Sequence, residues 1–298
     1  MTTAPGLRFG LFLSQASKSW DRVLDEFVMA ETLGFDHAWL VDHLVDTDGA
    51  PEDGCLEGWT LLAALAARTT RIRLGVLVSS NTFRHPAILL KQAVTVDHIS
   101  GGRVILGIGT GWHEDEHRRY GIDLPEPPER VDRFEEAVGM IASMMGQERT
   151  SFEGRHYRLD DARLQPPPIQ SPRIPILIAA HRPRMLRIAA RYADQWDTFA
   201  AMPGTATDGV DADLAERIAT LDAACRAIGR DPLTIRRSLW TTRDALASTD
   251  AYLDFVRRHH ALGFTDFTTV APAPADLPML QTIATKVIPA LRAGRLLD

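Results

Sequence analysis

The stretch Ile99-Ser100-Gly101-Gly102-Arg103-Val104-Ile105-Leu106-Gly107-Ile108 reads as the end of a helix, a glycine stop and a short strand that is apolar almost throughout. A strand with no polar alternation is one buried on both faces, as in a parallel sheet covered by helices. Upstream, Pro86–Ile99 opens with proline in its first turn, where a missing N–H costs nothing, and closes before the glycine pair. Helix, stop and buried strand together make half of a βαβ unit.

The same rhythm runs along the chain. Strands are expected at Leu7–Leu13, Ala38–Val41, Ile72–Val78, Val104–Ile108, Ile176–Ala179, Trp196–Phe199, Ile235–Trp240 and Phe267–Val270. Between the first two, Trp20–Leu33 puts Val23, Phe27 and Ala30 on one face, and Gly34 can adopt a left-handed C-cap. Leu33-Gly34-Phe35-Asp36 is echoed by Leu262-Gly263-Phe264-Thr265, either as a repeat or as a favoured αβ connection. Roughly eight βα units predict an α/β fold, the (β/α)8 TIM barrel. Residues 150–175, with Gly154, Pro166-Pro167-Pro168 and Pro172, break the rhythm as an inserted hairpin and extended loop. No composition shift marks a boundary there, so one domain over 1–298 is expected.

Composition narrows the partners. The 298 residues are 45% hydrophobic and 24% charged, ordinary for a globular chain with a large core. A formal net charge of −6 repels a nucleic-acid backbone. Cys55 and Cys225 stand far apart and in no C-x-x-C arrangement, which argues against a disulfide scaffold or zinc ribbon and for a reducing, cytoplasmic setting. Residues 1–6 are short and polar, and no stretch approaches the roughly 18 apolar residues of a membrane span. Neither nucleic acid nor a membrane is expected as a partner.

In such a barrel the site is built just beyond the C-terminal ends of the strands. That rule selects Asp42 and His43 after the second strand, Ser79, Ser80 and Asn81 after the third, Gly109 to His113 after the fourth, and Ala180, His181 and Arg182 after the fifth. His43 would project over the mouth, where an imidazole gives or takes a proton near neutral pH; the alternative is a structural histidine bonded to a neighbouring loop. Gly107-Ile108-Gly109-Thr110-Gly111 fails the G-x-G-x-x-G spacing, because Glu114 stands where the third glycine belongs, but still suits close backbone approach to a flat ring or a phosphate. His113-Glu114-Asp115-Glu116-His117 matches H-E-x-x-H, yet its flanks are those of a solvated helix turn rather than of a buried zinc helix, and no metal is expected. Pro183 with Arg182, Arg184 and Arg187 makes either an anion-binding helix start or a basic surface helix.

Four stretches carry a family resemblance: Leu33 through Asp42-His43, Thr82-Phe83-Arg84-His85-Pro86-Ala87, Asp97 through Thr110-Gly111-Trp112, and Pro175 through Ala180 with Arg187 through Asp194. In this order and spacing the chain resembles the luciferase-like monooxygenase superfamily, and within it the F420-dependent oxidoreductases. The resemblance implies a barrel with short insertions, often a homodimer, binding coenzyme F420 or else FMN at its mouth and moving a hydride to or from a small organic substrate. An FMN-dependent monooxygenase is the nearest alternative and a metal-dependent barrel hydrolase a distant one.

Carried over by position, His43 is the proton donor and Asp42 lies beside the ring. Leu77-Val78 matches the strand-three bulge where the family often has a non-prolyl cis peptide. Ser80, Thr110, Gly111 and Asp115 line the cofactor, and His181, Arg182, Arg184 and Met185 hold its phosphate. Trp39, Phe83, Trp112 and Phe199 offer aromatic surfaces to a substrate, or else are core. Two departures stand out. Trp112 replaces the acid that follows the Thr-Gly pair in the sugar-phosphate dehydrogenases of this branch. Ala179-Ala180-His181-Arg182 replaces a glycine-rich phosphate loop, so that two cationic side chains would take over backbone contacts.

Overall fold

A computed structural model describes residues 6–47, 49, 54–199 and 210–297. Its strands run, in chain order, β1 (Arg8–Phe12), β2 (His37–Leu40), β3 (Arg73–Val76), the short β4 (Ser79–Ser80) and β5 (Val104–Gly109). A hairpin of β6 (Thr150–Glu153) and β7 (Arg158–Ala162) follows, then β8 (Ile176–Ala179), β9 (Gln195–Phe199), β10 (Arg236–Thr241) and β11 (Asp266–Val270). Every barrel pairing is parallel, in the order β3-β2-β1-β11-β10-β9-β8-β5, and β5 pairs again with β3 to close the cylinder. The antiparallel β6–β7 hairpin stands outside it. The chain is therefore a (β/α)8 TIM barrel, with each expected strand within two residues of its place, except that the third is split.

The helices on the outside include α1 (Trp20–Thr32), α2 (Gly58–Arg68), α3 (Pro86–Ser100), α4 (Glu114–Tyr120), α5 (Pro127–Gly146), α6 (Pro183–Tyr192), α7 (Val210–Ala227), α8 (Thr249–Ala261), α9 (Leu277–Thr282) and α10 (Ile288–Arg292). Helix α3 starts at Pro86 and ends in a left-handed Gly101 whose N–H bonds back to the last turn. Side chains alternate along each strand, so Phe9 stacks on Phe267 and faces Tyr252 of α8, while Phe12 turns to the barrel interior and stacks on Trp240.

The interior is filled in layers. At the N-terminal floor, Arg8, Arg73, Arg236 and Asp266 begin β1, β3, β10 and β11. At the waist, Trp39, Ile105 and Leu177 form a dry cluster with Phe12, Leu77 and Val78 against it. Trp39 fits because Gly75 opposite has no side chain: a Cβ there would lie 2.6 Å from the indole. The expectation that Trp39 faces a substrate does not hold, since its ring is fully buried and its Nε1 donates to His37 Nδ1 at 2.7 Å.

Candidate active site

The third strand stops at Val76 and resumes at Ser79, and the peptide between Leu77 and Val78 is cis. Leu77 N–H still bonds to the Leu40 carbonyl at 2.9 Å, so the bulge is anchored to β2 while both side chains stay partly exposed at the rim. The glycines of β5 answer this bulge. A Cβ at Gly107 would strike the Val76 carbonyl, and one at Gly109 would lie 2.6 Å from Val78. These two glycines let strand five run beside the bulge, a packing role rather than the ligand approach expected of them.

Beyond β5, Gly111 has φ +81°, and a Cβ there would lie 2.6 Å from both Ser80 Oγ and Thr82 Oγ1. Those hydroxyls form a chain: Ser80 Oγ and Thr82 Oγ1 are 2.6 Å apart, and Thr82 Oγ1 lies 2.7 Å from His117 Nε2. His117 Nδ1 lies 2.7 Å from the His113 carbonyl, which makes Nδ1 a donor. His113 Nδ1 in turn caps α4 by accepting from the Glu116 N–H. Both histidines of the H-E-x-x-H string are thus spent on holding α4, and no metal-binding group of side chains occurs among the described residues. Thr110 sits half-buried beside this corner, its hydroxyl donating to the Gly111 carbonyl at 3.3 Å.

Helix α4 also delivers the carboxylate that reaches His43. Glu116 is buried; its Oε1 lies 2.8 Å from His43 Nδ1 and its Oε2 accepts the Leu44 N–H at 2.9 Å. Burial alone would raise the Glu116 pKa, but the hydrogen bonds from His43 and Leu44 outweigh it and hold the carboxyl below its usual range. His43 Nε2 has no partner among the described residues and remains accessible at the mouth, with Trp112 edge-on at 5.7 Å. Trp112 itself is 62% exposed. Asp115, expected to line the cofactor, pairs instead with Arg118 and Arg119 on the exposed side of α4. The acid turned inward is its neighbour, signalled only by the helical spacing that carries one face of α4 to the rim.

Asp42 is buried in a bidentate pair with Arg84, at 2.6 and 2.8 Å, and its Oδ2 also accepts the Ser80 N–H at 2.7 Å. It braces the loop after β2 against the loop after β4, with both oxygens occupied. Phe83 lies partly buried with its ring 4.9 Å from that of His117.

Across the mouth, His181 Nδ1 lies 3.0 Å from Thr198 Oγ1, and Arg217 Nη1 donates to both. Burial first, and then the Arg217 charge, push the His181 imidazole down to about 4. His181 is therefore neutral near pH 7, and the expectation of a cationic histidine gives way to Arg217, which α7 supplies. Phe199 faces His181 at 4.3 Å and Trp240 at 5.7 Å, with the Arg217 guanidinium 5.4 Å above its ring.

At the start of α6, Arg182 is exposed and offers no side-chain cap, Pro183 fills the first turn, and Met185 is buried in the core. Arg184 is held by Asp132 at 2.5 Å and by Glu135, which ties α6 to α5. Of the expected phosphate set, Arg182 alone presents a cation without a carboxylate partner among the described residues. Two buried polar atoms near the Gly111 corner also lack a partner: Arg130 Nε, whose Nη1 donates to the Gly111 carbonyl, and Asn81 Oδ1, whose Nδ2 donates to Tyr157.

A closed (β/α)8 barrel with a split third strand, a non-prolyl cis peptide at its rim and an imidazole–carboxylate pair beside it is an enzyme scaffold of the bacterial-luciferase type. The profile of the luciferase-like monooxygenase family matches residues 7–276, and the chain belongs to that family. It is 38% identical over 195 residues to the F420-dependent glucose-6-phosphate dehydrogenase of Microbacterium testaceum (strain StLB037), covering 64% of this chain and 56% of that protein. Over 284 residues it is 31% identical to the phthiodiolone/phenolphthiodiolone dimycocerosates ketoreductase of Mycobacterium tuberculosis (strain ATCC 25618 / H37Rv), covering 87% and 72%. The chain spans about half the length of several curated relatives it matches. Among solved structures, an F420-dependent secondary alcohol dehydrogenase in complex with an F420-acetone adduct superposes with a TM-score of 0.83 at 19% identity, over 96% of this chain and 99% of that one; this likeness concerns the fold.

Proposed function

We propose that the chain is an F420-dependent oxidoreductase that interconverts an alcohol and a carbonyl on a small organic substrate. The observation that carries this reading is the His43–Glu116 pair: one imidazole nitrogen is fixed by a buried carboxylate, and the other is left accessible at the same strand-end rim that carries the Leu77–Val78 bulge. Two relatives matched in sequence are named an F420-dependent glucose-6-phosphate dehydrogenase and a ketoreductase, which supports the same chemistry.

Coenzyme F420, when bound, supplies or accepts the hydride. The chain's own residues do the rest. Leu77 and Val78, partly exposed at the rim, offer an apolar ledge for a planar ring. Arg182 and the uncapped first turn of α6 would hold a phosphate. His43 Nε2 takes the hydroxyl proton when an alcohol is oxidised and returns it when a carbonyl is reduced. Glu116 keeps Nδ1–H in place and stabilises the imidazolium as it forms, and Trp112 stands edge-on to the imidazole at the mouth. By the same family likeness we expect a homodimer, which sedimentation checks.

Titrating the full chain with F420 and with FMN, followed by fluorescence, tests the reading. Micromolar or tighter F420 binding is expected; tight FMN binding with no F420 binding would make the protein a flavin enzyme instead.

A further inference from the structure

The opposite end of the barrel carries a charge cluster that chemistry at the rim does not use. A cavity of about 380 Å³ opens there, lined by Arg8, Arg71 and Arg73 together with Glu31 and Asp36. Arg236 stands close by, and burial together with the neighbouring Arg8 charge holds both Arg73 and Arg236 below the ordinary arginine range. Arginines remain charged despite such shifts, so the crowding is a real repulsion.

The nearby acids answer it only in part: Asp266 Oδ2 lies 3.9 Å from Arg236 Nη1, and Arg71 Nη2 donates to the Glu31 backbone carbonyl at 3.2 Å. Glu31 Oε1 accepts the N–H groups of Thr70 and Ile72 at 2.9 and 3.0 Å, and that of Arg71. Asp36 Oδ2 accepts from the Phe9 N–H at 2.8 Å and from Arg292 at 2.7 Å. Asp97 is bonded to Gln170, and Asp266 Oδ1 lies 2.6 Å from His37 Nε2. On the donor side, Arg73 Nη2 reaches Gln170 and the Val104 carbonyl, but its Nε is buried with no acceptor. The Arg8 guanidinium meets no carboxylate or carbonyl among the described residues.

The floor of a (β/α)8 barrel ordinarily serves stability. Incompletely answered guanidinium groups do the opposite, because buried donors without acceptors and like charges at close range both cost free energy. We infer that the floor cavity binds a phosphate group, free or as a monoester, between Arg8, Arg71 and Arg73. A phosphate carries up to two charges and several acceptor oxygens, which matches several guanidinium forks; a carboxylate, with one charge and two oxygens, would leave one arginine unanswered.

The test is isothermal titration of the full chain with inorganic phosphate and with phenyl phosphate at constant ionic strength, repeated on Arg8→Gln and Arg182→Gln. A binding component weakened at least tenfold by Arg8→Gln and kept by Arg182→Gln is expected. The tighter of the two probes then says whether the natural source is the free ion or an ester. Absence of binding up to millimolar concentration, binding unchanged by Arg8→Gln, or binding wholly lost in Arg182→Gln overturns the inference. Arg71→Gln, at the exposed edge, repeats the test should Arg8→Gln fail to fold, and phosphate should raise the melting temperature of the parent chain but not of the variant.

Discussion

Oε1 of Glu116 lies 2.8 Å from Nδ1 of His43, a contact between the first turn of α4 and the loop after β2, 73 residues apart in the chain. It turns an accessible imidazole into one with a defined tautomer and a free nitrogen.

His43→Ala should lower turnover by about 10²- to 10⁴-fold, the usual worth of a general acid–base, with little change in F420 affinity. Glu116→Gln keeps the size of the side chain but not its charge, and should lower turnover at least about tenfold and move the acid limb of the pH–rate profile. Steady-state oxidation of reduced F420 by a panel of aldehydes and ketones reads both. Wild-type rates in either variant would remove the pair from the mechanism.

Arg84→Ala should destabilise the fold by about 3–5 kcal/mol in urea unfolding, because it strands the buried Asp42 carboxylate. Adding Asp42→Asn should recover part of that loss by removing the uncompensated charge. Equal stability of the single and double variants would mean that the Ser80 N–H alone satisfies Asp42.

Gly111→Ala should cost about 1–3 kcal/mol from its left-handed backbone. Its new methyl would also press on Ser80 Oγ and Thr82 Oγ1, so the hydroxyl chain to His117 should loosen. Thermal melts measure the first effect, and faster hydrogen exchange in the first turns of α4 the second.

His181 gives stability a pH dependence whose sign is fixed by its depressed pKa. The unfolded chain takes up this proton near 6.5, the folded one only near 4, so the contribution is complete above 6.5 and is lost as pH falls through that window. The full shift corresponds to about 3 kcal/mol. His181→Gln should flatten the fall in melting temperature between pH 6.5 and 4; parallel curves for the two proteins would count against a neutral buried imidazole.

The barrel was legible because a strand buried on both faces announces itself as an apolar run, and Gly34, Gly101 and Gly263 mark the helix ends that precede such runs. Register at the rim was legible too, which is why His43 was placed at the mouth, whereas the Leu77–Val78 bulge was implied only by the family resemblance. What escaped were contacts between distant loops. Glu116 looked like one more acid in a solvated turn, and only the placement of α4 separates it from Asp115. Arg84 and Arg217 were hidden for the same reason: each meets its partner through a loop or helix whose path no local pattern encodes. Trp39 misled because an aromatic in a barrel strand reads alike whether it faces the mouth or the waist.

Trp39, Ile105 and Leu177 set an apolar plug between the floor and the mouth of the cylinder. An apolar layer of this kind separates the water around the floor arginines from the water around His43, so the two ends of the barrel can carry different charge without sharing a solvent shell.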